Sequence, residues 1–124
     1  MTGNGQILLV DDEELIRVTG KYSLNEMGYD VLLAGNGIEA VDIFKEKFAE
    51  IDLVVMDMIM PEMNGREAFY KMKEIDPNCK IIISSGFTKD DNLKKLKEDG
   101  LLGFIQKPFK EYEMSKLISK LISK

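Results

Sequence analysis

The chain has 124 residues, 44% of them hydrophobic, which is the material of one domain with a real core and not of a disordered chain. Its net charge of −5 and pI of about 4.8 argue against a dedicated nucleic-acid surface, which needs clustered Lys and Arg. With one cysteine and no histidine, the chain cannot form an internal disulfide, a Cys₄ zinc site, a His-based triad or a phosphohistidine of its own.

The lead-in Met1–Gln6 lacks the basic and apolar parts of a signal peptide. The apolar run Ile7–Val10 predicts a first strand, and Leu15, Val18, Thr19 and Tyr22 make the stripe of a first helix, with Gly28 placed to end it. Val31–Ala34 predicts a second strand. Asn36 with Glu39 has capping-box spacing and opens a helix whose face carries Ile38, Val41, Phe44 and Phe48. Leu53–Met56 predicts a third strand. Asn64 with Glu67 opens a helix with Ala68, Phe69, Met72 and Ile75 on one face. Cys79 stands in the turn before a fourth strand, Ile81–Ile83. Thr88 with Asp91 has the spacing of a third cap, before a helix whose apolar residues are chiefly Leu93 and Leu96; Asp90–Lys94 and Asp91–Lys95 pairs support it locally. Gly100 stands where that helix ends. Leu101–Ile105 predicts a fifth strand, and Met114, Leu117, Ile118, Leu121 and Ile122 a last helix.

Continuous apolar runs rich in β-branched residues suit strands buried on both faces. Strict alternation with helices predicts a (βα)₅ α/β fold: a five-stranded parallel sheet, doubly wound, in order 2-1-3-4-5. One domain over residues 1–124 is expected, folded from about 6 to 122, without an effector domain. The longest apolar runs are far short of a membrane span, so neither membrane insertion nor direct nucleic-acid binding is expected, and a reducing cytoplasm is the simplest location.

In such a sheet ligands bind beyond the strand C-termini, at the switch point between strands 1 and 3. Strand 1 runs into Asp11 and Asp12, strand 3 into Asp57, strand 4 into Ser84 and Ser85, and strand 5 into Lys107. Taken singly, each has a plain reading: a helix cap, a turn residue, strand-end hydroxyls, a solvated lysine. Together they form a set that such readings do not explain. Three gathered carboxylates repel one another, and an oxygen-seeking divalent cation removes that cost. A carboxylate can also attack phosphorus, and phosphoryl transfer needs little beyond positioning and charge stabilisation.

Four segments carry a specific resemblance: Leu-Leu-Val-Asp-Asp-Glu at 8–13, Asp-Met-Ile-Met-Pro-Glu-Met-Asn-Gly at 57–65, Ser-Ser-Gly-Phe at 84–87 and Lys-Pro-Phe at 107–109. In this order and spacing the chain resembles the receiver domain of bacterial response regulators and hybrid histidine kinases, over nearly its whole length. The resemblance implies two-component phosphorelay signalling: Asp57 as phosphoacceptor, Asp12 as direct ligand of Mg²⁺ (with Mn²⁺ as a substitute), Asp11 acting through a metal-bound water, and Ile59 giving its backbone carbonyl. It implies Ser85, ahead of Ser84, as the switch hydroxyl, Lys107 as the cation, and Phe104 as the aromatic switch residue. Pro108 would follow a cis peptide bond, as is common in the family. The implied partners are a sensor histidine kinase or phosphotransfer protein, and an output protein on the face of helix 4, strand 5 and helix 5. The domain would catalyse its own phosphorylation and slow dephosphorylation, acting as a switch. Ile59 and Phe87 occupy positions that tune hydrolysis in the family, and both are apolar here, which predicts a long phosphorylated lifetime.

Rival readings are weaker. A haloacid-dehalogenase-like phosphatase carries a second Asp two residues after its nucleophile, where this chain has Ile59. A nucleotide or flavin binder would have a Gly-rich loop where Asp11–Glu14 stand. A degenerate receiver used only as a binding module would not need the complete set of Asp11, Asp12, Asp57, Ser85 and Lys107. Met56, Met58, Met60 and Met63 suggest a soft-metal site at first sight, but strand alternation spreads them over different faces, as core filling does.

Overall fold

A computed structural model describes residues 5–86, 90–106 and 111–122, with backbone alone at 90–92 and 111. The Thr88 cap therefore lies outside the described residues, as do the Asp90 and Asp91 side chains of the expected Asp90–Lys94 and Asp91–Lys95 pairs.

The β-branched runs form strands β1 (Gln6–Val10), β2 (Asp30–Ala34), β3 (Leu53–Asp57), β4 (Ile81–Ser85) and β5 (Gly103–Gln106). They alternate with helices α1 (Glu14–Glu26), α2 (Gly37–Lys47), α3 (Gly65–Ile75), α4 (Asp90–Glu98) and α5 (Glu111–Ile122). All four strand pairs are parallel and the order is β2-β1-β3-β4-β5, as the alternation predicts. The order reverses between β1 and β3, where Val10 stands beside Met56.

Alternation along each strand divides the core. Leu8, Val10, Val54, Met56, Ile81 and Ile83 face the side covered by α2, α3 and α4, through Phe44, Phe69, Met72 and Leu96. Ile7, Leu9, Leu53, Val55 and Ile82 face the other side, covered by Leu24 of α1 and by Met114 and Ile118 of α5. The four methionines fill the core but do not spread over different faces: Met56 and Met60 are buried and Met58 and Met63 pack against the same cluster, because only Met56 lies in a strand. Local signals hold the helices in place. The Asn36 carboxamide accepts the Glu39 amide, and Asn64 and Glu67 complete a reciprocal capping box. Gly28 and Gly100 take left-handed φ angles of 97° and 112° at helix ends.

One stripe runs the other way. Leu15, Val18 and Tyr22 were expected to face the core, yet they are 72%, 55% and 68% exposed. The inward face of α1 is instead Ile16, Gly20, Ser23 and Leu24. Gly20 is the reason: a Cβ there would stand 2.7 Å from the Leu9 side chain, so α1 lies on β1 through its glycine. Ile38 of α2 and Phe48 at its C-cap likewise sit at the rim, more than a third exposed.

Among the described side chains of helix α4, Leu96 is the one fully buried. Its end is tied to α3 by the Tyr70 hydroxyl, which donates to the Asp99 carboxylate, while Lys95 pairs with Asp99 at 3.6 Å. The hydrogen bond to Asp99 raises the Tyr70 phenol, and the Tyr70 hydroxyl holds the Asp99 carboxyl below its ordinary range.

Candidate phosphoacceptor and cation site

The switch point gathers carboxylates. Oxygens of Asp11, Asp12 and Asp57 lie within 4.8 Å of one another; Asp11 and Asp57 are buried and Asp12 is exposed. Backbone geometry puts them there. The Asp11 amide donates to the Ala34 carbonyl at the end of β2 (3.1 Å), and its carbonyl accepts Arg17 Nη1 (2.7 Å). Asp11 Oδ1 also accepts the Glu13 amide at 3.0 Å, which holds the turn ahead of α1; the N-cap position itself is Glu13, whose side chain makes no capping bond. Asp57 closes β3 directly opposite Ser84 of β4.

The loop after Asp57 is drawn back against the strand. The Met58 amide donates to the Ser84 carbonyl, and the Gly65 amide to the Met58 carbonyl at 2.8 Å. A Cβ on Gly65 would come within 2.4 Å of the Asp57 carbonyl oxygen, so only glycine starts α3 this close. Within the loop, Glu62 takes a positive φ of 69° and the Met63 amide reaches the Pro61 carbonyl. Ile59 rides on this loop and is 61% exposed.

Ser84 and Ser85 end β4, both buried. Alternation puts Ser85 on the side of Ile83, the side on which Phe104 packs against the core, and puts Ser84 on the side of Ile82. Phe104 is partly buried on β5 opposite Ile83. Lys107, Phe87 and Pro108 lie outside the described residues.

The donor set suits a hard divalent cation. It offers oxygens alone, from three anionic groups, one of them open to solvent, which matches Mg²⁺ better than a thiophilic or imidazole-seeking metal. Among the described residues no other group of His, Cys, Asp and Glu converges in this way.

The surface beside this site was not legible in the periodicity alone. The exposed stripe Leu15, Val18, Tyr22 begins three residues after Asp12. Its signal was Gly20, whose face of α1 had to be the buried one.

The topology and the carboxylates at its β1–β3 switch point define the class: a doubly wound α/β domain with an acidic site at the strand ends. Residues 7–119 match the response regulator receiver domain, and the chain belongs to that family. It is therefore a receiver domain of two-component signal transduction. It is 34% identical over its whole length to sensor kinase CckA of Brucella abortus, of which it spans 13%. It is 36% identical to sporulation initiation phosphotransferase F of Bacillus subtilis, over 96% of this chain and 94% of that one. Among solved structures, the CheX–CheY–BeF₃–Mg²⁺ complex of Borrelia burgdorferi superposes with a TM-score of 0.91 at 26% identity, covering 97% of this chain and 90% of that one. No helix among the described residues is long and apolar enough to cross a membrane.

Proposed function

We propose that this domain takes a phosphoryl group onto Asp57 from the phosphohistidine of a sensor kinase or phosphotransfer protein in the cytoplasm, and that Lys107, Ser85 and Phe104 couple that event to a partner surface. The observation that carries it is the triad of carboxylates at the switch point, with Asp57 buried at a strand end. An Asp57 carboxylate oxygen attacks phosphorus, an O–P bond forms, the N–P bond to the donor's imidazole breaks, and the electron pair leaves on that nitrogen. Asp11, Asp12, Asp57 and the Ile59 carbonyl would hold Mg²⁺. When bound, the cation neutralises the gathered charge and the incoming phosphoryl oxygens.

The protein's own groups do the rest. The Asp11 backbone bonds orient one carboxylate. The closed 58–65 loop fixes Asp57. Ser85, on the same sheet face as Phe104, donates its hydroxyl to the new phosphoryl group, and Phe104 follows that movement, shifting the population of the α4–β5–α5 surface. The Tyr70–Asp99 bond, at the C-terminal end of α4, gives that helix a fixed pivot. Ile59, exposed beside the site, and Phe87 restrict the approach of water and lengthen the phosphorylated state.

Intact mass after incubation with acetyl phosphate tests this directly. One phosphoryl adduct is expected on the wild type with Mg²⁺, none in EDTA and none on Asp57→Asn. No adduct under any condition, from acetyl phosphate or from a phosphorylated histidine kinase, would point to a binding module that does not use phosphorylation.

The donor protein has to approach over the surface flanking the site, and Leu15, Val18 and Tyr22 offer an apolar helical face there. Leu15→Ser with Tyr22→Ser is expected to slow transfer from the cognate phosphorylated partner at least tenfold while leaving uptake from acetyl phosphate unchanged. Equal slowing with both donors would contradict docking on α1.

A further inference from the structure

Arg17 projects from the first full turn of α1 and is half-buried. Its Nη1 donates to the Asp11 carbonyl at 2.7 Å, and the same nitrogen lies 3.4 Å from where a Cβ on Gly35 would stand. The Gly35 amide is in turn held by Glu39 Oε1 at 2.6 Å. Arg17 thus spans from the end of β1 to the turn between β2 and α2. The carbonyl it grips belongs to the peptide that joins Asp11 to Asp12, so rotation of that peptide would swing both carboxylates.

Two effects of this guanidinium have opposite signs. As a nearby positive charge it should repel an incoming cation, so neutralising it should tighten binding. As the anchor of the Asp11–Asp12 peptide it should keep the ligand oxygens in place, so removing it should loosen binding. The charge is planar, delocalised and turned toward a carbonyl at close range, whereas the Asp12 carboxylate stands in solvent that screens the repulsion. We infer that Arg17 is a positioning residue of the cation site, whose hydrogen bond to the Asp11 carbonyl orders the Asp11–Asp12 peptide for divalent-cation binding.

This inference rests on the reading of Asp11, Asp12 and Asp57 as a cation site, and one titration separates the two. The 124-residue wild type, Arg17→Met, Arg17→Lys and Asp57→Asn are titrated with MgCl₂ and followed by backbone amide NMR, and their thermal midpoints are measured in EDTA. Arg17→Met keeps the aliphatic stem and is expected to bind Mg²⁺ about tenfold more weakly, the usual lower bound for losing a residue that orients a ligand. Arg17→Lys keeps a donor and the charge and is expected within about threefold of the wild type, since a point donor replaces the fork. The midpoints of the wild type and the Arg17 variants in EDTA are expected to stay close together. Should Arg17→Met fail to fold, Arg17→Gln, neutral and too short to reach, takes its place with the same expectation. An unchanged or tighter affinity in the neutral variant would overturn the positioning role, as would a fall in midpoint with no change in affinity. Absence of saturable Mg²⁺ binding by the wild type would overturn the cation site itself, and this inference with it.

Discussion

Gly65→Ala is expected to lower the thermal midpoint by roughly 10 °C and to abolish most phosphoryl uptake. In a helix, alanine ordinarily gains up to about 1 kcal/mol over glycine. Here the added methyl would sit 2.4 Å from the Asp57 carbonyl oxygen and 2.9 Å from the Met58 Cα. Both are backbone atoms, so no side chain can swing aside. Overpacking a tight site costs about 1–3 kcal/mol, and a clash with the backbone belongs at the upper end. At about 4 °C per kcal/mol for a domain of this size, that is roughly 10 °C. The strand end would have to shift, and Asp57 with it. Differential scanning calorimetry paired with the intact-mass assay checks both effects. A midpoint within 2 °C of the wild type, on the order of half a kcal/mol, would mean the loop absorbs the methyl and the close approach has no role.

Asp57→Asn is expected to stabilise the fold in EDTA at neutral pH. Charges no more than 4.8 Å apart repel by about 3 kcal/mol per pair at an effective dielectric constant of 20. Asp12 is exposed, so solvent screens its share, and other interactions of Asp11 and Asp57 offset part of the rest, so a gain of about 1 kcal/mol remains for the neutral variant. Mg²⁺ then narrows the gap. At ten times its dissociation constant it stabilises the wild type by about 1.4 kcal/mol, and the variant, lacking one ligand, by much less. Urea denaturation with and without Mg²⁺ reads both numbers. A variant less stable than wild type in EDTA would show that the carboxylates are already compensated without a cation.

The strands, their order and the carboxylate site were legible because each rests on local chemistry. Runs such as Ile81–Ile83 have one stable use in a short element, and Asn64 with Glu67 marks a helix start by hydrogen bonding alone. Strand ends at Val10 and Met56 then dictate that Asp11, Asp12 and Asp57 meet. The orientation of α1 was not legible in its apolar spacing. Leu15, Val18 and Tyr22 fit a helical stripe as well as Ile16, Gly20 and Leu24 do, and the choice depends on how closely Gly20 lets the helix approach Leu9. Arg17 was equally hidden, because its partner is a backbone carbonyl, which leaves no mark in side-chain pattern. The clash that makes Gly65 necessary arises from the fold of the 58–65 loop, a tertiary fact.

The most direct test of the central claim is the position of the phosphoryl group itself. The protein is phosphorylated with acetyl phosphate and Mg²⁺, treated with borohydride, which reduces an acyl phosphate to the alcohol, and digested for peptide sequencing by mass spectrometry. Homoserine at position 57 and nowhere else is the predicted result. Homoserine at Asp11 or Asp12, or unmodified Asp57 in a protein that carries the phosphoryl mass, would contradict it.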